Sequence, residues 1–133
     1  MNPVLNEFVT HLEFLGYEIV PQEEENSVLA KHQTHGNTFV KAYLSGVLLQ
    51  QYWKVTDKVR KKRHEFLEAV NQLNAAAHLV TYVAGSDDNP YLRMDGLFLG
   101  TYDKKKFGLF LEAYMFDTND RILGNESIRS FVM

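Results

Sequence analysis

The sequence has no cysteine. That excludes disulfide frameworks, thiolate nucleophiles and cysteine metal sites. It has no apolar run near the ~18 residues that a membrane-spanning helix needs. Its first residues, Met1-Asn2-Pro3-Val4-Leu5-Asn6-Glu7, carry neither a basic segment nor a continuous apolar one, so no secretory signal is expected and a cytoplasmic location follows as the default expectation. Glycine-rich phosphate loops, a Gly-x-Ser-x-Gly elbow and a calcium-loop pattern are all missing. A strong positive charge is missing too: the formal net charge is −3, which speaks against general nucleic-acid binding.

What the sequence does have is aromatic side chains, nine Phe, seven Tyr and one Trp in 133 residues. A chain this long buries enough surface for one core without covalent staples, so one domain is expected over residues 1–133, with a core at about 3–117 and a tail at 118–133. Large flat side chains on a small domain often serve a core and an interface together.

The order of periodicities sets the fold class. Leu5, Phe8, Val9, Leu12 and Leu15 recur at helical spacing; Asn2 and Pro3 suit the start of that helix and Gly16 its end. Tyr17–Val20 begins like a strand but is cut by Pro21 and the acidic run Glu23-Glu24-Glu25. Three strands follow, at Ser27–His32, Thr38–Tyr43 and Val47–Val55, with a hairpin turn at Ser45-Gly46. The charged stretch Lys58–Arg63 leads into a second helix striped by Phe66, Leu67, Val70, Leu73 and Ala77. Two further strands, His78–Val83 and Tyr91–Leu99, flank the turn Gly85–Pro90, with Gly96 a candidate bulge. Asp103 caps a third helix striped by Phe107, Phe110, Leu111, Tyr114 and Met115. The tail ends in Ile128, Phe131, Val132 and Met133, apolar enough to dock. The predicted class is α+β, in the order α-β-β-β-α-β-β-α, with helices packed on a five-stranded, mainly antiparallel sheet.

No constellation of side chains points to catalysis. The adjacent acids Asp87-Asp88 and Glu23–Glu25 belong to polar loops, where carboxylates stay solvated. His32 and His35 flank a turn without a third ligand at a suitable spacing, so no metal, cofactor or catalytic residue is assigned. Two features allow binding. Lys58, Arg60, Lys61, Lys62 and Arg63 form a basic run at a helix start, where the helix dipole disfavours cations; it is either a docking patch for an acidic partner or nucleic acid, or a solvated first turn. On the strand Gln50-Gln51-Tyr52-Trp53-Lys54, alternation places Leu49, Gln51 and Trp53 on one face and Leu48, Gln50 and Tyr52 on the other. Neither face is purely apolar.

The helix Phe66-Leu67-Glu68-Ala69-Val70-Asn71-Gln72-Leu73-Asn74, followed at once by a strand, an acidic turn and another strand, carries a resemblance. Over residues 3 to 117 the chain resembles the type III secretion chaperone-like superfamily, and within it the YbjN-type sensory transduction regulators and their uncharacterised, partly cyanobacterial relatives. The resemblance implies a small α+β domain without known catalytic residues. It also implies a homodimer that holds an extended segment of a client protein. Phe66, Val70, Leu73 and Tyr82 then become candidates for core or dimer contacts; Trp53, from its strand alone, is a candidate for the core or for a partner contact. Unlike secretion chaperones, which are usually more acidic, this chain carries a distinct basic run. The expected function is thus that of a non-enzymatic, chaperone-like or regulatory protein-binding domain acting as a homodimer on a protein or peptide partner. The alternatives are a nucleic-acid-binding regulator using Lys58–Arg63, and an enzyme whose site the sequence does not display.

Overall fold

The computed structural model describes residues 1–24 and 26–133; Glu25, the last of the acidic run, lies outside the described residues. Helix α1 spans Leu5–Phe14 and buries Leu5, Phe8, Val9 and Leu12 of the predicted stripe, while Leu15, its last member, caps the helix and is exposed. Gly16, at φ 95°, ends it in the left-handed region where glycine carries no Cβ penalty. The strands are β1 Glu18–Pro21, β2 Ser27–His32, β3 Gly36–Tyr43, β4 Gly46–Trp53, β5 Thr81–Ala84 and β6 Leu92–Phe98. They form one sheet in the order β1-β2-β3-β4-β6-β5, and every neighbouring pair is antiparallel.

The α+β class and its antiparallel sheet are as the sequence predicts. The strand count is corrected from five to six. The short run cut by Pro21 is a true edge strand, because an edge position tolerates a residue without an N–H. Gly96 is not a bulge. The β4–β6 register runs unbroken through it, and a Cβ there would stand 2.7 Å from the Tyr114 ring. The glycine lets an aromatic ring lie against the strand.

The basic run forms a short helix, α2 Lys58–Lys61. It breaks at Lys62 before α3, Arg63–Ala76. Helix α4, Lys104–Met115, starts at Asp103, whose carboxylate accepts from the Lys106 amide at 2.9 Å. It runs into a π-helical turn, Phe116–Asp120, and then into α5 Arg121–Leu123 and α6 Glu126–Arg129.

The core lies between the helices and one face of the sheet. Val28 and Ala30 of β2, Val40 of β3, Val47 and Leu49 of β4, and Leu92 and Met94 of β6 meet Phe66 and Leu73 of α3 and Phe107 and Leu111 of α4 in one apolar cluster. The tail joins that cluster through Ile122, Ile128 and Phe131. It also pairs with the segment after β4 at Val55 and Val132.

One side chain holds the segment between α3 and β5. Asp117, sealed from solvent in the π-helical turn, accepts from the amides of His78, Leu79 and Val80 and from Arg121. Those amides are therefore bound to a carboxylate rather than to a strand, and β5 begins at Thr81, three residues after the predicted start. The π-helical turn offers main-chain acceptors in return: Tyr82 Oη donates to the Asp117 carbonyl at 2.7 Å and Trp53 Nε1 to the Thr118 carbonyl at 2.8 Å. No described helix is long and apolar enough to cross a membrane.

Candidate functional site

Strand alternation sends every second side chain of the sheet away from the helices. The register sets these outward residues in rows. Val20, Leu29, Phe39, Gln50, Asp95 and Thr81 stand opposite one another across all six strands. Lys41, Leu48 and Leu97 form a second row, and Tyr52, Arg93 and Val83 a third. An antiparallel sheet with one solvated face normally turns polar residues outward. Here apolar and aromatic side chains share the outward face with polar and charged ones, Glu18, Lys31, Asn37, Lys41, Gln50, Arg93 and Asp95 among them, and Tyr52 at 48% and Leu97 at 40% are exposed.

The middle of this face is fixed by a polar network. Arg93 forks onto Asp95 through Nε and a terminal nitrogen, at 2.8 and 3.0 Å, and Gln50 donates to the same carboxylate at 3.1 Å. The hydrogen bonds to Asp95 raise the Arg93 pKa further, against the opposing effect of burial. Tyr52 packs edge-on against Tyr91 at 5.6 Å and near Phe39 at 6.3 Å, and the Arg93 guanidinium sits 5.8 Å from the Tyr91 ring. Rigid aromatic rings around a held arginine suit contact with a partner surface. Where the face meets α2, a depression of about 410 Å³ opens between Tyr52, Lys54, Arg60, Tyr91 and Met133.

The residues singled out in the sequence fall in different places. Phe66, Val70, Leu73 and Tyr82 are buried within the chain's own core; of the two roles open to them, the structure places them in the first. Trp53 is half-buried on the helix-covered face of β4, with its indole N–H held by Thr118. In the basic run, Arg63 donates to the Gly85 carbonyl at 2.7 Å and pairs with Asp87 at 3.3 Å. Arg60 donates to the Asp87 carbonyl at 3.2 Å, and Lys58 lies 5.0 Å over the Phe131 ring. Lys61 is exposed, and Lys62 makes a loose solvent-facing pair with Glu65 at 3.9 Å. Three of the five cations thus brace the loop between β5 and β6 or the tail.

His32 and His35 do come together, with ring centroids 4.4 Å apart. His32 Nδ1, however, accepts from the Thr34 and His35 amides. Among the described residues no group of three or more His, Asp or Glu is placed to hold a metal ion.

Sequence reasoning missed the outward sheet residues as a set, although the mixed faces of β4 were the signal for them. It also missed the role of Asn74, whose carboxamide bonds both main-chain groups of Tyr82 on the neighbouring strand.

The architecture is that of a two-layer α+β domain with one sheet face left open. No family model matches the chain, and no curated protein matches it either. Among solved structures it is similar to YbjN, described as "a putative transcription regulator from E. coli". The TM-score is 0.75 at 14% identity, over 97% of this chain and 94% of that one. The chain therefore has a YbjN-like fold.

Proposed function

We propose that this chain is a non-enzymatic protein-binding domain, chaperone-like or regulatory, that works as a homodimer and holds a segment of a partner protein on its open sheet face. The observation that carries the reading is the outward row chemistry, with Leu29, Phe39, Leu48, Tyr52 and Leu97 standing where a solvated sheet would carry polar side chains. Docking on the face is favoured over addition of a strand. The β5 edge is occupied at Tyr82 by the Asn74 carboxamide, and the β1 edge is four residues long and ends in Pro21. The relationship to type III secretion chaperones is part of the same proposal, supported by the element order and by the Val70–Asn74 motif. A cytoplasmic setting belongs to it as well, in keeping with a chain free of cysteine.

The test is binding of extended, apolar-rich peptides by fluorescence anisotropy, for the natural chain and for Leu48→Lys and Leu97→Lys. Both variants alter exposed or half-exposed outward positions and leave the core intact. Binding weakened by ~10-fold or more, the mark of an interface anchor, is expected. Equal binding by all three proteins, or none by the natural chain, sinks the reading.

A second reading, a nucleic-acid-binding regulator, draws on exposed Lys61 and Lys62 and on the description attached to YbjN. It requires retention of DNA or RNA on filters that falls steeply between low and moderate salt. It also requires that falloff to flatten when Lys61 and Lys62 become Ser.

A further inference from the structure

The inner stripe of α1 accounts for its packing on the sheet; its outer face is unexplained. There Glu7, Thr10 and Phe14 follow one another at helical spacing. Phe14 is 85% exposed, the most exposed large apolar side chain among the described residues. It borders a groove of about 420 Å³. Half-buried His11 and Tyr102 line the groove, joined by a 2.8 Å hydrogen bond between His11 Nδ1 and Tyr102 Oη, and Leu15 lies beside them. Glu7 and Lys104, both exposed and of opposite charge, stand on the same rim.

One patch thus carries an apolar knob, a hole able to receive it, and one charge of each sign. A two-fold contact needs these properties, because each copy must present both halves of the fit. Across a two-fold, charges of opposite sign on one rim can pair between copies, whereas a rim of one sign would repel its twin. The knob is held in place. The Leu15 amide donates to the carbonyls of His11 and Leu12, Gly16 to Glu13 and Tyr17 to Leu12, which closes the helix immediately after Phe14. With the main chain fixed, only the two side-chain torsions of a phenylalanine remain to be ordered when a partner buries it.

We propose that two copies of this chain pair through the outer face of α1, with Phe14 of each seated in the groove of the other and Glu7 opposite Lys104 across the two-fold. This rests on the homodimer reading above and names its surface, which leaves the open sheet face clear for the partner segment.

The test is sedimentation equilibrium over a wide concentration range, with thermal melts alongside. The proteins compared are the natural chain, Phe14→Asp, Glu7→Lys, Lys104→Glu and the double variant Glu7→Lys/Lys104→Glu. All three sites are exposed, so melts run at concentrations where every protein is monomeric should differ by no more than the small effect of a changed charge at a helix end. The expected result is a dimer for the natural chain, with dissociation constants ~10-fold or more weaker for Phe14→Asp. Each single charge reversal should weaken the dimer, and the double variant should recover it. A dimer that Phe14→Asp leaves unchanged, or charge reversals that do not compensate, overturns this contact and gives the groove to another occupant while the homodimer reading stands. A natural chain that stays monomeric at every concentration overturns both.

Discussion

The Asn74 side chain takes both main-chain groups of Tyr82: its Oδ1 accepts from the Tyr82 amide at 2.7 Å, and its Nδ2 donates to the Tyr82 carbonyl at 2.9 Å. A carboxamide has the same donor and acceptor as a peptide group, so Asn74 acts as one residue of an absent seventh strand. It closes the β5 edge against strand addition. It also gives the last residue of the Val70–Asn74 motif a physical reason. Val70 and Leu73 pack α3 onto the core, and Asn74 ties the end of that helix to the strand that follows it. Asn74→Ala should lower stability by roughly 1–2 kcal/mol, the loss of two part-buried hydrogen bonds to the buried Tyr82. Asn74→Asp, which keeps the acceptor and loses the donor, should also be destabilising. Urea denaturation checks both, and an alanine variant with an unchanged midpoint would rule the clamp out.

Asp117 does comparable work one turn of chain earlier. Burial alone would push its carboxyl up. The amides of Val80, Leu79 and His78 and the Arg121 side chain hold the charged form, and together they bring its pKa below the usual carboxylate value. A carboxyl depressed by folding contributes stability that is present above the unfolded value of ~3.9 and is lost as the pH falls through the folded value. Asp117→Asn cannot accept from three amides and an arginine in the same way and should cost about 2–4 kcal/mol at neutral pH. It should also remove part of the acid-side loss of stability below about pH 4. Unfolding free energies measured from neutral to acidic pH decide this; parallel curves for the two proteins would refute the assignment.

The division between what the sequence tells and what it hides follows the range of the interactions. Local features are legible. The α1 stripe ends at Gly16 as its spacing implies, Asn2 accepts from the Val4 amide, and Asp103 caps α4. The stripe from Phe107 to Tyr114 is buried as read. Features that depend on the partner element are not legible. An apolar stripe shows that a face is covered but not by what, so Phe66, Val70, Leu73 and Tyr82 fit either a core or an interface until the sheet is in place. β1 is hidden because its proline and the acids after it resemble a loop, and only its pairing with β2 makes it a strand. Phe14 lies off every stripe and gives no periodic signal. The open face shows only when outward residues of separate strands are brought into rows.

Gly96 has a role that the bulge reading did not contain. Its missing side chain leaves room for Tyr114, whose ring would stand 2.7 Å from an added Cβ, with the Phe110 ring at 3.4 Å. Both rings are buried and cannot swing into solvent. Gly96→Ala should therefore destabilise the chain by roughly 1–3 kcal/mol, the usual penalty of overfilling a packed core. Because the added methyl points toward α4, peptide binding on the outward face should survive at temperatures where the variant is folded. Melting curves together with the anisotropy assay separate the two effects. An alanine variant as stable as the natural chain would mean that α4 sits less tightly on the sheet than these distances indicate.

The turn between β2 and β3 should make the fold sensitive to mild acid. His32 lies between Tyr17, with ring centroids 4.8 Å apart, and His35 at 4.4 Å. Its Nδ1 accepts from the Thr34 and His35 amides and is committed as an acceptor. Burial lowers the His35 pKa below 6.5, the neighbouring His32 lowers it further, and Asp120 opposes them. A histidine that the fold holds neutral binds fewer protons folded than unfolded. Its contribution to stability is thus fully present above about pH 6.5 and is lost as the pH drops from there toward the folded value. His11 acts in the same sense, through burial and then Lys104, so a change at His35 removes only one share of the effect. Between about pH 7.5 and 5.5, a window that spans the free-histidine value, the urea midpoint of the natural chain should fall further than that of His35→Gln. Equal falls would show that protonation at His35 is not coupled to folding. A smaller fall in His35→Gln, with its Gln51 contact through the residue-35 carbonyl retained, would locate that share of the acid sensitivity at the His35 imidazole.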